Sequence, residues 1–416
     1  MSAASPGPLP TQPLWQSILI LMSAIGIIGA NSLLLSPLVT AVGQDLAADP
    51  GAVMQAASAY GLGVALAALT LAPKGDRIGA GRLLRLALAA LTLGLAASGL
   101  APGLWGLILA QGFCGLAGGA ALPSIYSLAA RIAPKGREAR TVGLVLTGWT
   151  LSMVLGVTVS AWVAELAGWR QVYLALALLA ALLWLCSRSL ARLSSGASSQ
   201  VEAAASSPLT ALRVPGMRTG LLATALLMLS FYITYFYTGA HITLDLGLST
   251  GQAGLLPLFY GIGFGLAVFF DPLLDRIGLA RATPPIFVLI TCSYLGLALT
   301  SGHFLVLLGV TLIWGIFQHL GLNLLVARLT ALDPDQRGAI MGLYSTMTYL
   351  CVFAAPYAGD LLFGVWGLVG CLIASACLTA LEAFEAAISL RPRQKTPEPT
   401  ASKSTKSDCA SPGAPA

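Results

Sequence analysis

Apolar runs of about twenty residues, separated by short polar stretches, repeat along the whole chain. They predict helices over residues 16–40, 52–72, 83–101, 104–130, 141–163, 171–187, 219–243, 252–271, 284–301, 304–327, 338–360 and 365–388. A helix crossing a bilayer core needs about 20 mostly apolar residues, so each run is long enough to span. Of the 416 residues, 57% are hydrophobic and only 9% charged, whereas roughly a quarter are charged in soluble domains. The mean hydropathy is +0.84. This excludes a soluble domain and predicts an all-α membrane protein of twelve transmembrane helices.

The net charge of +6 does not announce a nucleic-acid partner, because the 22 Lys and Arg are dispersed among short loops. Cytoplasmic loops collect such residues. With both termini set in the cytoplasm, every cation falls on that side except Arg170, while Asp45, Asp49, Glu165, Asp245 and Asp360 fall on the other. One span missed or invented mid-chain would destroy this asymmetry, so it supports the helix count together with the orientation; the expected location is the inner membrane. The seven cysteines show no metal-ligand spacing and no disulfide framework. The first cation is Lys74, so the opening run lacks the basic start of a cleaved signal and reads as a retained span. The expected organisation is a flexible N-terminal tail over 1–15, a six-helix bundle over 16–190, a cytoplasmic linker over 191–217, a second bundle over 218–390 and a disordered tail over 391–416.

The chain also matches itself. At an offset of 199, Pro73, Asp76, Arg77, Ile78 and Gly79 fall on Pro272, Asp275, Arg276, Ile277 and Gly278, and Gly143 falls on Gly342. Both copies follow an even-numbered span. Two pseudo-symmetric six-helix halves explain this coincidence of offset and topology, as recurs among transporters.

The run APKGDRIGAGRLL resembles the GxxxDRxGRR loop of the major facilitator superfamily, and DPLLDRIGLAR is similar to its weaker second copy. The resemblance covers about residues 16–390. It implies the major facilitator fold, with Asp76, Arg77, Gly79, Arg82, Asp275, Arg276 and Gly278 bracing helix ends as the protein changes conformation. Ala72, Ala80 and Gly81 depart from the motif. Helices four to six resemble those of the drug and sugar efflux branches, which often carry a proline-bearing turn in the fifth helix and a GWR after it. Here Gly156, Val157 and Thr158 replace that turn, and Gly168, Trp169 and Arg170 match the GWR. Gly143, Gly148, Gly156, Ser152 and Ser160 form a small-residue stripe suited to close helix contact.

Polar and aromatic side chains gather in spans one, four, seven, ten and eleven, and the resemblance implies that one, four, seven and ten line the cavity. Trp314 and Gln318 share a face of span ten, with His319 and Asn323 beside them. His319 reads as the one ionisable group near a midplane: a proton-coupling candidate, or a neutral imidazole bonded to a neighbouring helix. Tyr232, Tyr235 and Phe236 on span seven could stack on a solute or pack internally. Asn31 and Gln111 are buried amides that need partners, whether ligand or helix. Tyr344, Thr348 and Trp149 are further candidates. His241 and His303 lie near outer ends.

Spans one to six hold no acid, and Glu382 and Glu385 stand in the last turns of span twelve. A cavity with little charge suits a neutral or amphiphilic solute. The expectation is a monomeric secondary transporter working by alternating access. It would export a sugar-like or drug-like molecule, with no cofactor or metal; coupling to protons is implied by the family resemblance alone. Uptake or exchange of a small organic anion is the runner-up, and a non-transporting sensor or scaffold the third reading. Nothing resembles a Walker loop, a His-Glu metal cluster or a nucleophile elbow, so an enzyme is not expected.

Overall fold

The computed structural model describes residues 13–70, 78–134, 136–188, 190 and 208–390, and these form helices with no strand among them. The first half comprises α1 (Leu14–Leu33, prolonged by Leu35–Leu46), α2 (Pro50–Thr70), α3 (Ala80–Gly99), α4 (Leu104–Ile132), α5 (Arg140–Ala167) and α6 (Trp169–Cys186). The second comprises α7 (Met217–Asp245), α8 (Thr250–Ile277), α9 (Leu279–Thr300), α10 (Phe304–Thr330) and a continuous stretch Arg337–Ser389. Gly367, at φ 62° and ψ −160°, breaks that stretch into α11 (337–366) and α12 (368–389), which brings the spans to twelve. An even number puts the start of α1 and the end of α12 on one face, called here the terminal face; the other is the distal face.

Three structural differences refine the predicted boundaries. Helix α8 continues past 271 to Ile277, which draws Asp271 into the bundle. Helix α9 begins at Leu279 and carries Pro284 and Pro285 inside it, where the run of prolines predicted a start. Part of the segment read as a flexible linker, Pro208–Arg213, is a short 3-10 helix with Ala211 buried. The rest of that linker and both tails lie outside the described residues.

The repeat reappears in backbone geometry. Gly79 and Gly278 both carry positive φ, 90° and 83°, at the starts of α3 and α9. Gly168 (φ 96°) and Gly367 (φ 62°), also 199 apart, make the turns before α6 and α12. Such conformations favour glycine because a Cβ would crowd the residue's own backbone. Within the first half, Gly29 of α1 meets Ser152 and Trp149 of α5, and Gly148 and Gly156 of α5 meet Met22 and Ala30 of α1. Just where the proline-bearing turn is replaced, α5 widens into a π turn, Ser152–Val157. Long aliphatic residues such as Leu93, Leu178 and Leu299 stay exposed on the outside of the bundle, as lipid-facing side chains do.

The two halves meet at their distal ends. Ser36 Oγ of α1 donates to the carbonyl of Tyr235 on α7 at 2.5 Å, and these two positions are themselves 199 apart. Thr40 and Thr243 hydroxyls lie 2.5 Å apart on the same helices. Ser58 Oγ of α2 donates to Phe353 O of α11 at 2.8 Å, and the Gly251 N–H of α8 donates to Glu165 of α5 at 2.6 Å. Among the described residues, every hydrogen bond between the halves lies in the distal part of its helices. This arrangement is closed at the distal face.

Candidate functional site

Helix α7 is apolar on every side and is buried over almost its whole length, so its aromatics point into protein. Phe231 stacks on Tyr235 at 5.4 Å and touches Tyr260 of α8 and Trp314 of α10 at 5.4 and 5.6 Å. Tyr232 stacks on Phe236 at 5.5 Å. Trp314 meets Tyr260 edge-on at 4.7 Å, and Phe264 meets His319 edge-on at 4.6 Å. An unbroken aromatic wall thus runs from α7 across α8 to His319 on α10, held by ring contacts worth about 0.5–1.5 kcal/mol each beyond burial.

Three buried polar atoms along this wall lack a hydrogen-bond partner among the described residues, the Tyr235 hydroxyl, Gln318 Oε1 and His319 Nδ1, while the Trp314 indole is turned to the Tyr294 hydroxyl of α9. Leaving such an atom unpaired costs about 1–3 kcal/mol. A group that repeatedly bears this cost on one surface is prepared for a polar partner from elsewhere.

The candidates divide into two kinds. Asn31 and Gln111 are turned to each other: Asn31 Nδ2 donates to Gln111 Oε1 at 3.1 Å, and Gln111 Nε2 donates to Asn31 Oδ1 at 3.3 Å and to Ser98 Oγ at 3.0 Å. They tie α1, α4 and α3 together. Tyr232 and Tyr344, in contrast, belong to a group of tyrosines drawn from both halves. Tyr60 on α2 lies near Tyr232 and Tyr349, and Tyr126 on α4 lies near Tyr344 and Tyr349. The Trp149 indole adjoins Tyr126. Tyr60, Tyr126 and Tyr349 do not stand out in the sequence: Tyr60 and Tyr126 are the lone phenols of their spans and Tyr349 is one of three on span eleven, so only a position opposite another helix distinguishes them.

His319 is not isolated, as its sequence context implied. Its Nε2 lies 3.5 Å from Asp271 Oδ2 on α8 and 2.9 Å from Asn323 Nδ2, while Asn323 Nδ2 donates to Asp271 Oδ1 at 3.0 Å. A neutral imidazole can accept from Asn323; an imidazolium must donate, and Asp271 is the acceptor within reach. The trio therefore has two bonding patterns that differ by one proton. Asp271 escaped notice because it ends the predicted span. The signal available was the repeat, in which Asp271 replaces Ala72 of the first copy.

Asp271 and Asn323 also line a cleft of about 350 Å³ between the terminal ends of α8 and α10, together with Asp275, Gly278, Leu279 and Ala327. Asp275 and Arg276 are exposed and form no ion pair among the described residues. Arg82 is likewise exposed at the start of α3. Asp76 and Arg77 lie outside the described residues. On the distal face, the one cation placed against the general asymmetry is matched: Arg170 pairs with Asp45, donates to Ala101 O at 3.1 Å and stacks over Trp169 at 4.4 Å. His241 bridges Asp245, at 2.6 Å, and Ser301 O, at 3.0 Å.

Comparison with known proteins agrees with this architecture. The chain is 26% identical over 384 residues, 88% of its length and 90% of the relative's, to an uncharacterized MFS-type transporter of Bacillus subtilis strain 168, YwfA. It superposes with a TM-score of 0.72, at 14% identity and over 92% of its own and 98% of the other chain, on the crystal structure of a bacterial homolog to the human lysosomal transporter Spinster in an inward-facing and unoccupied conformation. The family model described as Major Facilitator Superfamily matches residues 20–356 and 221–411. The chain belongs to the major facilitator superfamily and is a multi-pass membrane transporter of that family.

Proposed function

We propose that this transporter is a proton-coupled exporter of a neutral or amphiphilic small molecule, sugar-like or drug-like, in the inner membrane. The observation that carries the reading is the set of unpaired polar atoms on Tyr235, Gln318 and His319 along an aromatic wall that includes Trp314. Rings offer stacking to an apolar body, and the phenol, imidazole and amide offer a few directional bonds, the usual composition of a small-molecule site. Tyr232, Phe236 and Tyr344 extend the same surface. Asn31 and Gln111 act on it indirectly, by fixing α1 against α4.

The distribution of Lys and Arg supports a cytoplasmic terminal face with both termini inside. In that orientation the distal hydrogen bonds close the periplasmic side, and the cleft at Asp271 opens inward. Alternating access follows when the halves rock about the midplane. The loop residues Asp76, Arg77, Gly79 and Arg82, with Asp275, Arg276 and Gly278, would brace the cytoplasmic ends in the opposite state. Coupling would pass through His319 and Asp271, whose bonding changes with one proton. The molecule would act as a monomer. An organic anion is less suited to this interior, since Arg328, the buried arginine among the described residues, is already matched by Glu385.

Proteoliposomes under an imposed pH gradient test the reading. A panel of sugars, antibiotics and dyes should include a compound that moves against its gradient when protons flow the other way. Failure of the whole panel, or accumulation in the direction of proton flow, would reject export by proton exchange.

A further inference from the structure

A second charged cluster lies between α10 and α12, near their terminal ends, away from the aromatic wall. Arg328, 8% exposed, stands in the last turn of α10. Its Nη1 donates to Glu385 Oε2 at 2.7 Å, and its Nη2 donates to Glu385 Oε1 at 2.8 Å and to Ser389 Oγ at 3.2 Å. This fork neutralises the guanidinium. Glu382 sits one turn earlier on α12 and is 0% exposed. Neither of its carboxyl oxygens has a hydrogen-bond partner among the described residues, and Arg328 Nη1 is 3.8 Å away.

The charges that face Glu382 are Arg328 from α10 and Glu385 from its own helix. Helices α7 and α9 also pack on α12, through Ser230 and Thr291, and the short helix Pro208–Arg213 packs on the α11–α12 pair. Arg213, Arg218 and Arg281, the cations at the terminal ends of these elements, form no ion pair with Glu382. Two carboxylates would therefore share one arginine, and one of them would receive no hydrogen bond. An uncompensated buried charge costs several kcal/mol. A neutral carboxylic acid avoids that cost.

We propose that Glu382 is a proton-binding site: it holds a proton in this conformation, and its ionisation draws Arg328 away from Glu385, shifting α12 against α10. The site does not depend on His319 and Asp271, which lie on the α8 side of α10.

Infrared difference spectroscopy of the purified full chain in liposomes, titrated with base, reads the proton directly. The wild type should show a carboxylic-acid carbonyl band at the high-frequency end, that of an acid without hydrogen bonds, and labelling with isotopic glutamate should shift it. The band should be lost completely in Glu382→Gln. It should also vanish in Glu385→Gln, because Arg328 then takes Glu382 as its counter-ion. Absence of a glutamate-shifted band in the wild type, or its survival in either variant, overturns the proposal. The isotope experiment needs no variant, so a missing band overturns the proposal even where a substitution prevents folding; Glu382→Asp, which keeps a carboxyl at the site, should remove the band from the glutamate-shifted set, and its persistence there would also overturn it.

Discussion

At the residue scale, the site is distinguished by unpaired hydrogen-bonding atoms more than by charge. Gln318→Leu removes a donor-acceptor group whose oxygen has no partner among the described residues, so it should weaken substrate binding by about 1–2 kcal/mol while leaving thermal stability unchanged or improved. Equal affinity in the variant would remove Gln318 from the site. Asn31→Ala should do the reverse. It strands Gln111 Oε1, whose donor is Asn31, destabilising the protein by about 1–3 kcal/mol, visible as a lower melting temperature in detergent. The His319 trio makes a third, separable statement. If one proton decides whether His319 bonds Asn323 or Asp271, flux should vary with pH in the wild type and much less in His319→Gln and in Asp271→Asn. A pH profile that survives both substitutions would exclude the pair from coupling.

At the element scale, glycines at the helix joints set the directions of α3, α6, α9 and α12. Gly278 (φ 83°, ψ 149°) and Gly168 (φ 96°, ψ 155°) occupy a region that other residues enter at a cost of about 1–3 kcal/mol. Gly278 has nothing within 4 Å of where a Cβ would sit, so Gly278→Ala would act by backbone strain alone. It should lower thermal stability by that amount without a steric clash, and an unchanged melting temperature would show that the joint relaxes. The small-residue contact of α1 with α5 belongs to the same scale. It lets two backbones approach where lipid offers no hydrophobic incentive for helices to associate.

At the scale of the whole molecule, four hydrogen bonds among the described residues join the halves at the distal end. The bond from Gly251 N–H to Glu165 is charge-assisted, and such bonds contribute about 1.5–3 kcal/mol. Glu165→Gln should shift the equilibrium toward distal opening by roughly tenfold or more. A cysteine introduced at Thr243, half-buried in this arrangement, would then react faster with an impermeant maleimide added from the distal side than the same cysteine beside an intact Glu165. Unchanged reactivity would mean that this bond does not hold the gate.

The sequence alone determined the number of spans, their pairing into halves and the side on which the cations lie. Each follows from a cost that acts on local stretches of chain: backbone polar groups in lipid must bond within a helix, and charges stay out of hydrocarbon. The DRIG pair and the 199-residue offset carried the duplication for the same reason, since a tight glycine turn is a local requirement. Only the tertiary structure decided which polar residues are free. Asn31 and Gln111 look as available in the sequence as Gln318, yet they consume one another's hydrogen bonds across α1 and α4. His319 looked solitary until α8 carried Asp271 to it. Whether a buried donor or acceptor is satisfied depends on groups brought together from distant helices, and no periodicity along the chain records that meeting.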